Sequence, residues 1–146
     1  MQETFAVNVF GPLLMMQAAV PYMPRNSRVI NIGSVASRLG PRGTALYGAS
    51  KAAMDALTFS MAYELGRGHG GITINTVAPG PVDTDGVPPQ VAAVVHSALV
   101  PMTRVEERVG TVEDVANAVL LLCSERSQWI SGQCISVSGG ITGGQL

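Results

Sequence analysis

The stretch Arg28-Val-Ile-Asn-Ile-Gly33 is a short run rich in β-branched residues that ends in a glycine. A short apolar run bounded by turn residues is typical of a buried strand, so it predicts a strand over residues 28–33. Two similar runs, Ile72–Ala78 and Cys134–Val137, predict a second and a third strand. Glycine, proline or serine follows each of the three, as is typical of turns.

Helical patterns separate these strands along the chain. Thr4–Tyr22 is rich in Leu, Met, Val and Ala, which favours a largely buried helix that Gly11-Pro12 interrupts. Ala45–Gly66 predicts a second helix with a glycine-rich end. Apolar residues at helical spacing over 91–99 predict a short amphipathic helix, and Thr111 can cap a further helix that reaches Cys123.

The alternation of helices and strands indicates parallel strands joined by right-handed helical crossovers. The sequence therefore predicts an α/β fold, a partial Rossmann-like (doubly wound) parallel sheet of about three strands with flanking helices. The 146 residues fit one domain, which we expect to cover 1–146. Ser34–Thr44, polar and containing glycine and proline, is predicted to be a loop.

Composition and charge exclude several classes of protein. Hydrophobic residues make up 47% of the chain and charged residues 13%, which argues for a buried core and against disorder. The formal net charge is -1 and the basic residues are scattered, so we expect no nucleic-acid partner. We find no apolar run long enough to span a bilayer and no basic leader, and therefore expect no membrane.

The two cysteines, Cys123 and Cys134, do not form a CxxC pair. They are most simply reduced thiols that serve as small core residues, and a disulfide between them is the less favoured alternative. This usage favours a cytoplasmic protein. No residue pattern predicts a bound metal.

Tyr47-Gly-Ala-Ser-Lys51 places a phenol and an ammonium four residues apart on the second predicted helix. Residues at this spacing share one helix face. Because a nearby cation favours a phenolate, the pair could exchange a proton with an alcohol or carbonyl oxygen. A surface tyrosine beside a solvated lysine gives the same spacing, and an isolated match would favour that alternative.

Ser34 directly follows the first predicted strand. Open α/β sheets bind ligands beyond the carboxyl ends of their strands, where a hydroxyl can hydrogen-bond a substrate oxygen as charge develops on it. Pro79-Gly80 and Ser138-Gly139-Gly140 end the other two strands at the same edge. Turn residues at strand ends need no functional reason, but they do not explain Ser34 together with Tyr47 and Lys51.

Asn8 lies one helical turn before Pro12. In an α-helix the carbonyl of residue 8 accepts from the N–H of residue 12, and proline has none. The Asn8 carbonyl is thus predicted to be free to bind a water. An ordinary proline kink explains the same sequence equally well.

Several ordered motifs together resemble the short-chain dehydrogenases/reductases over essentially the whole chain. The motifs are Val7-Asn8-Val9, Ile32-Gly33-Ser34-Val35-Ala36-Ser37, Tyr47-Gly-Ala-Ser-Lys51, Asn75-Thr-Val-Ala-Pro79-Gly80-Pro-Val82-Asp-Thr84, and Trp129-Ile-Ser-Gly132 through Gly139-Gly140. The spacing from Ser34 to Tyr47 also matches that family. The resemblance implies an NAD(P)-dependent oxidoreductase that interconverts an alcohol and a ketone or aldehyde by hydride transfer.

The resemblance also implies a role for each matching residue. Tyr47 would be the general acid/base, and Lys51 would stabilise its phenolate and hold the nicotinamide ribose. Ser34 would orient and polarise the substrate carbonyl, and Asn8 would position a water in a proton relay to Lys51. The residues that would wrap the nicotinamide and pyrophosphate end of NAD(P)(H) are Pro79, Gly80, Val82 and Thr84. The choice between NAD and NADP stays open.

By analogy with the family, substrate selectivity would lie between Asp83 and Leu99, where a stripe of valine and alanine suggests an apolar cover. His96 lies in this segment and could line a pocket, although a solvated side chain is the favoured alternative. The expected partner is a small-molecule carbonyl or alcohol substrate.

The family's glycine-rich turn, G-x-x-x-G-x-G, does not open this sequence. In the family, that turn leads into a helix whose N-terminus holds the pyrophosphate. We therefore expect a truncated catalytic part, and the alternative function is an inactive remnant or oligomerisation partner without dinucleotide binding. The resemblance also implies a homo-oligomer formed through helices 4–22 and 45–66, and a sheet edge at strand 28–33.

Overall fold

The computed structural model describes residues 2–142; the ends of the predicted domain, residue 1 and residues 143–146, lie outside the described part. The strands are β1 (Arg28–Ile32), β2 (Thr73–Pro79) and β3 (Cys134–Val137). The α-helices are α1 (Gln2–Phe5), α2 (Gly11–Ala19), α3 (Ala36–Leu39), α4 (Ala45–Gly68), α5 (Pro89–Leu99) and α6 (Val112–Cys123). A π-helical turn, Ala6–Phe10, joins α1 to α2, and 3-10 turns lie at Val20–Tyr22, Val100–Met102 and Glu125–Ser127.

The three strands form one parallel sheet in the order β1-β2-β3. Arg28 pairs with Thr73 in the first ladder, and Thr76 pairs with Cys134 in the second. The chain passes through α4 between the first two strands and through α5 and α6 before the third, so helices make both crossovers. The predicted α/β fold with about three parallel strands is confirmed. β1 is an edge of the described sheet, as expected.

The core of the described chain lies around β2, the central strand. Residues 73–78 of this strand are all buried. An apolar cluster joins it to α4 and to the first helical segment, and its members are Met16, Val20, Leu65, Ile72 and Ile74. Each fully buried aliphatic side chain contributes about 1.5–3 kcal/mol to the free energy of folding. The cluster therefore fixes the orientation in which α4 packs on the sheet.

The helical segment Gln2–Tyr22 is less buried than the sequence predicts. Met16 and Val20 are buried, but Leu14 is 63% exposed and Met15 is 72% exposed. Apolar residues surround this helix on several faces, while one face packs against α4 and β2. The prediction of a largely buried helix is therefore wrong for the described chain.

The same segment is 21 residues long with a mean hydropathy of 1.3, enough to cross a membrane by length and composition alone. This corrects the expectation that no apolar run reaches that length. Single polar residues such as Asn8 and Gln17 interrupt the apolar sequence without ending the helix. Met16 and Val20 pack on the sheet, as residues of a helix in a globular core also do. The absence of a membrane partner stays a prediction.

Two smaller expectations are corrected by local structure. The predicted loop Ser34–Thr44 contains the helical turn α3, which ends where Gly40 adopts the left-handed conformation with a φ of 56°. Cys123, expected in the core, is exposed at the last residue of α6, whereas Cys134 is partly buried on β3. Both cysteines are free thiols.

Candidate active site

The carboxyl ends of β1 and β2 open into a cleft of about 790 Å³ that α4 and α5 also line. Parallel strands end at one edge of a sheet, which is where open α/β sheets bind ligands. The cleft is lined by these residues predicted for the site: Ser34, Tyr47, Lys51, Pro79, Gly80, Val82 and Thr84. The structure therefore brings together every predicted site residue except Asn8.

Lys51 reaches from α4 to the end of β1. Its ammonium donates a hydrogen bond of 2.9 Å to the carbonyl oxygen of Ile32, the last residue of that strand. The same ammonium lies 5.7 Å from the centroid of the Tyr47 ring. Burial lowers the pKa of Lys51, and the charge of Asp55 opposes that shift. The phenol of Tyr47 and the ammonium of Lys51 thus reach the same part of the cleft, as their spacing predicts.

Ser34 stands between β1 and α3, and its neighbours in the chain hold it in place. The N–H groups of Gly33 and Val35 donate to carbonyls of β2 at 2.7 and 3.0 Å. The Ser34 hydroxyl oxygen accepts from the N–H of Ala36 at 3.2 Å. Because that bond uses the oxygen as acceptor, the hydroxyl proton is left to donate to a ligand in the cleft.

The helices α3 and α4 lie in close contact at Gly48, the residue after Tyr47. A Cβ atom on Gly48 would lie 2.8 Å from the carbonyl oxygen of Ala36, closer than real Cβ atoms approach. Glycine here lets the turn that follows Ser34 pack directly on the turn that carries Tyr47. Sequence reasoning missed this role, because only the packing of the two helices reveals it.

Asn8 lies in the π-helical turn Ala6–Phe10, outside the lining of the cleft. The N–H of Gly11 donates to the carbonyl of Ala6, five residues back, instead of four. This wider turn precedes Pro12 and accommodates the missing N–H of that residue. The water-binding role expected of the Asn8 carbonyl stays a prediction.

The Asn8 side chain is tied to α4 through Ser50. Its amide donates to the Ser50 hydroxyl at 3.0 Å, and that hydroxyl donates to the Tyr47 carbonyl at 2.7 Å. Ser50 is completely buried. Sequence reasoning missed Ser50, although a serine on the buried face of a helix needs a hydrogen-bond partner and so signals one.

The loop after β2 follows the cleft. A Cβ on Gly80 would lie 2.8 Å from the Cβ of Ser138, so glycine lets the ends of β2 and β3 come together. Val82 forms an isolated parallel bridge with Gly110, which keeps this loop beside the cleft. Pro79 and Val82 present apolar surface to it.

The helix α5 and the loop before it line the cleft with aliphatic side chains. These are Val87, Val91, Ala92, Val94, Val95, Ala98 and Leu99. The amphipathic helix predicted over 91–99 is confirmed, and its apolar stripe faces the cleft. His96 is partly buried and also lines the cleft, the position that the sequence left as the less favoured alternative. No Asp or Glu is found among the described lining residues.

A protein-family model described as Enoyl-(Acyl carrier protein) reductase matches residues 1–142 of the chain. Short-chain dehydrogenase/reductase FrzI of Cladobotryum sp is 40% identical over 141 residues, which cover 92% of this chain and 54% of FrzI. The chain belongs to the short-chain dehydrogenase/reductase family. Dehydrogenase OXI1 of Cochliobolus heterostrophus, another relative, is 39% identical over 144 residues, which cover 95% of this chain and 61% of OXI1.

A solved structure supports the same assignment. The angucycline C-6 ketoreductase LanV with bound NADP matches this short-chain dehydrogenase/reductase with a TM-score of 0.82 at 31% identity. The match covers 94% of this chain and 52% of LanV. The chain therefore spans about half the length of LanV and FrzI and 61% of OXI1.

The residues of the cleft suit the nicotinamide and ribose end of the dinucleotide that the family implies. The Lys51 ammonium already binds a carbonyl oxygen, which shows that oxygen acceptors fit at its head. The Ser34 hydroxyl supplies a second donor, and Pro79 and Val82 offer an apolar surface to an aromatic ring. The donor set therefore fits this end of the cofactor.

Proposed function

We propose that this short-chain dehydrogenase/reductase acts in the NAD(P)-dependent interconversion of an alcohol and a ketone or aldehyde by hydride transfer. The observation that carries the proposal is the convergence of Tyr47, Lys51 and Ser34 on one cleft at the carboxyl edge of the sheet. The names of OXI1, a dehydrogenase, and LanV, a ketoreductase with bound NADP, support it.

Tyr47 is the group that we assign to proton transfer. Its side chain lines the cleft and stays 40% exposed, so a substrate oxygen can reach the phenol. When a carbonyl is reduced, the Tyr47 hydroxyl gives its proton to that oxygen, and the Lys51 ammonium stabilises the phenolate left behind. In the direction of oxidation the phenolate takes the proton of the alcohol.

Ser34 holds the substrate oxygen beside Tyr47. Its hydroxyl oxygen accepts from the N–H of Ala36, which leaves its proton to donate to a substrate oxygen. The hydrogen bond strengthens as negative charge develops on the carbonyl oxygen. The bound nicotinamide would supply the hydride for reduction or accept it from the alcohol.

We assign the cofactor as NAD(P)(H), without a preference between NAD and NADP. The residues proposed to hold it are Tyr47, Lys51, Pro79, Gly80, Val82 and Thr84. Lys51 is the donor for the ribose hydroxyls, since its ammonium has three N–H groups and the Ile32 carbonyl uses one. NADP in the similar LanV structure supports a nicotinamide dinucleotide.

Asn8 is proposed to position a water that passes protons to Lys51. The two hydrogen bonds through Ser50 hold Asn8 against the turn of α4 that carries the catalytic pair. Pro12 removes one donor to the Asn8 carbonyl, which favours a water there.

The substrate is proposed to be a small carbonyl or alcohol compound with an apolar body. The aliphatic side chains of α5 and the absence of carboxylates among the described lining residues support this chemistry. As composition predicts, we propose a cytoplasmic protein with neither nucleic acid nor membrane as partner.

The proposal is tested by NADPH and NADH consumption with a panel of ketones and aldehydes. Tyr47→Phe removes the transferable proton and is expected to lower turnover by about 100-fold or more. Tyr63→Phe, on the exposed face of the same helix, is the matched control and should keep turnover. Undiminished turnover in Tyr47→Phe would contradict the assignment of Tyr47.

A second candidate is an oligomerisation partner without dinucleotide binding. The observation that favours it is the apolar surface left open on the segment Gln2–Tyr22 and on α4. Its exposed members are Val7, Phe10, Leu14, Met15, Phe59 and Tyr63. A surface of this kind is typical of a site for a protein partner, and a second copy of the chain fits it.

Calorimetric titration with NADPH separates the two candidates. The oxidoreductase proposal requires saturable binding of NADPH that Lys51→Met weakens. The oligomerisation proposal requires that NADPH shows no saturable binding. It also requires an oligomer in sedimentation experiments that Leu14→Asp and Phe59→Asp dissociate. A monomer at all concentrations would exclude the proposed homo-oligomer.

A further inference from the structure

Asp55 lies one helical turn beyond Lys51 on α4. Its Oδ2 accepts a hydrogen bond of 2.7 Å from the hydroxyl of Ser37 in α3. Its Oδ1 is buried and has no hydrogen-bond partner among the described residues. A Cβ on Gly33 would lie 3.4 Å from this Oδ1, so the carboxylate sits against the residue that follows Ile32.

Lys51 and Asp55 therefore meet the same end of β1. The ammonium is fixed at the carbonyl of Ile32, and the carboxylate is beside Gly33. Residues four apart on a helix share one face, which puts the two charges within reach of each other. A buried carboxylate oxygen without a hydrogen bond is costly, and a nearby cation offsets that cost.

We propose that Asp55 is a positioning residue that keeps the ammonium of Lys51 charged in the cleft. The inference rests on the proposed function in one respect, because the charge of Lys51 serves catalysis only if Lys51 assists Tyr47. The hydrogen bond from Ser37 fixes the carboxylate in this place. The electrostatics agree, since burial lowers the pKa of Lys51 and Asp55 raises it.

Other ionisable groups around this pair come from α3, α4 and β3. The thiol of Cys134 meets both Asp55 and Arg38. Burial, followed by the charge of Asp55, raises the pKa of Cys134 to about 11, so this thiol is neutral at physiological pH. The ring of Tyr47 lies 5.7 Å from the Lys51 ammonium, and Arg42 and His96 line the same cleft. Asp55 is thus the anion that faces Lys51 from its own helix.

The composition of the chain makes the charge of Lys51 directly measurable. Lys51 is the only lysine in the sequence, so pH-dependent acetylation of a lysine amine reports on it alone, and peptide masses separate it from the N-terminal amine. The variants are Asp55→Asn, Asp55→Glu, Ser37→Ala and Glu64→Gln. Glu64→Gln removes the same charge from an exposed position on α4 and is the matched control.

Asp55→Asn is expected to move the labelling profile of Lys51 about one pH unit lower, which is about tenfold faster labelling at a fixed pH below its pKa. Asp55→Glu and Glu64→Gln keep a carboxylate near Lys51 and should follow the unmodified chain. Ser37→Ala removes the hydrogen bond that fixes this carboxylate and should move the profile part of the way towards that of Asp55→Asn. An unmoved profile in Asp55→Asn overturns the inference, and so does an equal shift in Glu64→Gln.

A second neutral variant, Asp55→Ser, is measured in parallel, and circular dichroism checks that each variant is folded. A one-unit downward shift in Asp55→Glu would also overturn the inference, since that variant keeps the charge. The labelling needs neither cofactor nor turnover. The labelling result therefore does not depend on the proposed oxidoreductase activity. A failure of that activity and a failure of the Asp55 inference can be told apart.

Discussion

The ammonium of Lys51 and the carbonyl oxygen of Ile32 are joined by a hydrogen bond of 2.9 Å, which ties α4 to the end of β1. This bond places a partly buried cation 5.7 Å from the ring of Tyr47. The cost of burying that cation is visible in its pKa, which lies below the ordinary value for lysine. Position and charge of Lys51 are therefore linked, and both can be changed by substitution.

The stability of the folded chain should rise with pH as Lys51 releases its proton. Burial lowers the folded-state pKa of Lys51 below 10.5, so between these two values the unfolded chain binds more protons than the folded one. The free energy of unfolding increases with pH in such a window. Urea titrations between pH 7 and 10 should show this rise in the unmodified chain and lose it in Lys51→Met. A rise of the same size in Lys51→Met would assign it to another group.

Gly48→Ala should disturb the junction of α3 and α4. The new Cβ would lie 2.8 Å from the Ala36 carbonyl, so the helices must separate, and overpacking of this kind costs about 1–3 kcal/mol. The turn after Ser34 would move away from Tyr47, and turnover should fall with the free energy of unfolding.

Gly66→Ala is the matched control for that substitution. Gly66 lies on the same helix and a Cβ there meets no heavy atom within 4 Å. Replacing a glycine inside a helix by alanine stabilises it by about 0.5–1 kcal/mol. Chemical denaturation should therefore move in opposite directions for the two variants. A neutral Gly48→Ala would contradict the close contact between α3 and α4.

The sheet could be predicted from the sequence because its strands carry strong local signals. Apart from Asn75, the run that becomes β2 is apolar or β-branched, as is typical of a strand buried on both faces, and turn residues bound it. Thr111 also signalled the start of α6, where its hydroxyl accepts from the N–H of Asp114 at 3.2 Å. These features depend on neighbours in the chain.

The features that escaped prediction depend on packing between distant segments. Four residues of α3 are too few to show a helical period, and its place follows from contact with Gly48. The roles of Ser50 and Asp55 become visible once it is known which face of α4 meets Asn8 and β1. Met15 is exposed because it lies on a face of the first helix that no other described residue covers.

The thiol of Cys134 should react far more slowly than that of Cys123. Burial and the charge of Asp55 raise the pKa of Cys134 to about 11, and the thiolate is the reactive form. At pH 8 its thiolate fraction is roughly 100-fold or more below that of an ordinary cysteine. In Cys123→Ser, a disulfide reagent should label the folded chain slowly and the unfolded chain at once. Rapid labelling of the folded variant would contradict the raised pKa and the partly buried position of Cys134.

Val94→Asp should weaken the binding of an apolar substrate in the cleft with little effect on folding. Val94 lines the cleft from α5 and is 68% exposed, so a carboxylate there stays solvated in the free protein. An apolar ketone would lose its contact and meet a charge instead, which is worth about 1–3 kcal/mol, or 10- to 200-fold in kcat/KM.

Val105→Asp is the matched control for the cleft. Val105 is 85% exposed and is not among the residues that line the cleft. Its kcat/KM should equal that of the unmodified chain. Calorimetry with the same ketone, in a Tyr47→Phe background that does not turn it over, measures the loss of affinity separately from catalysis. Equal losses in the two aspartate variants would show that the wall formed by α5 does not contact the substrate.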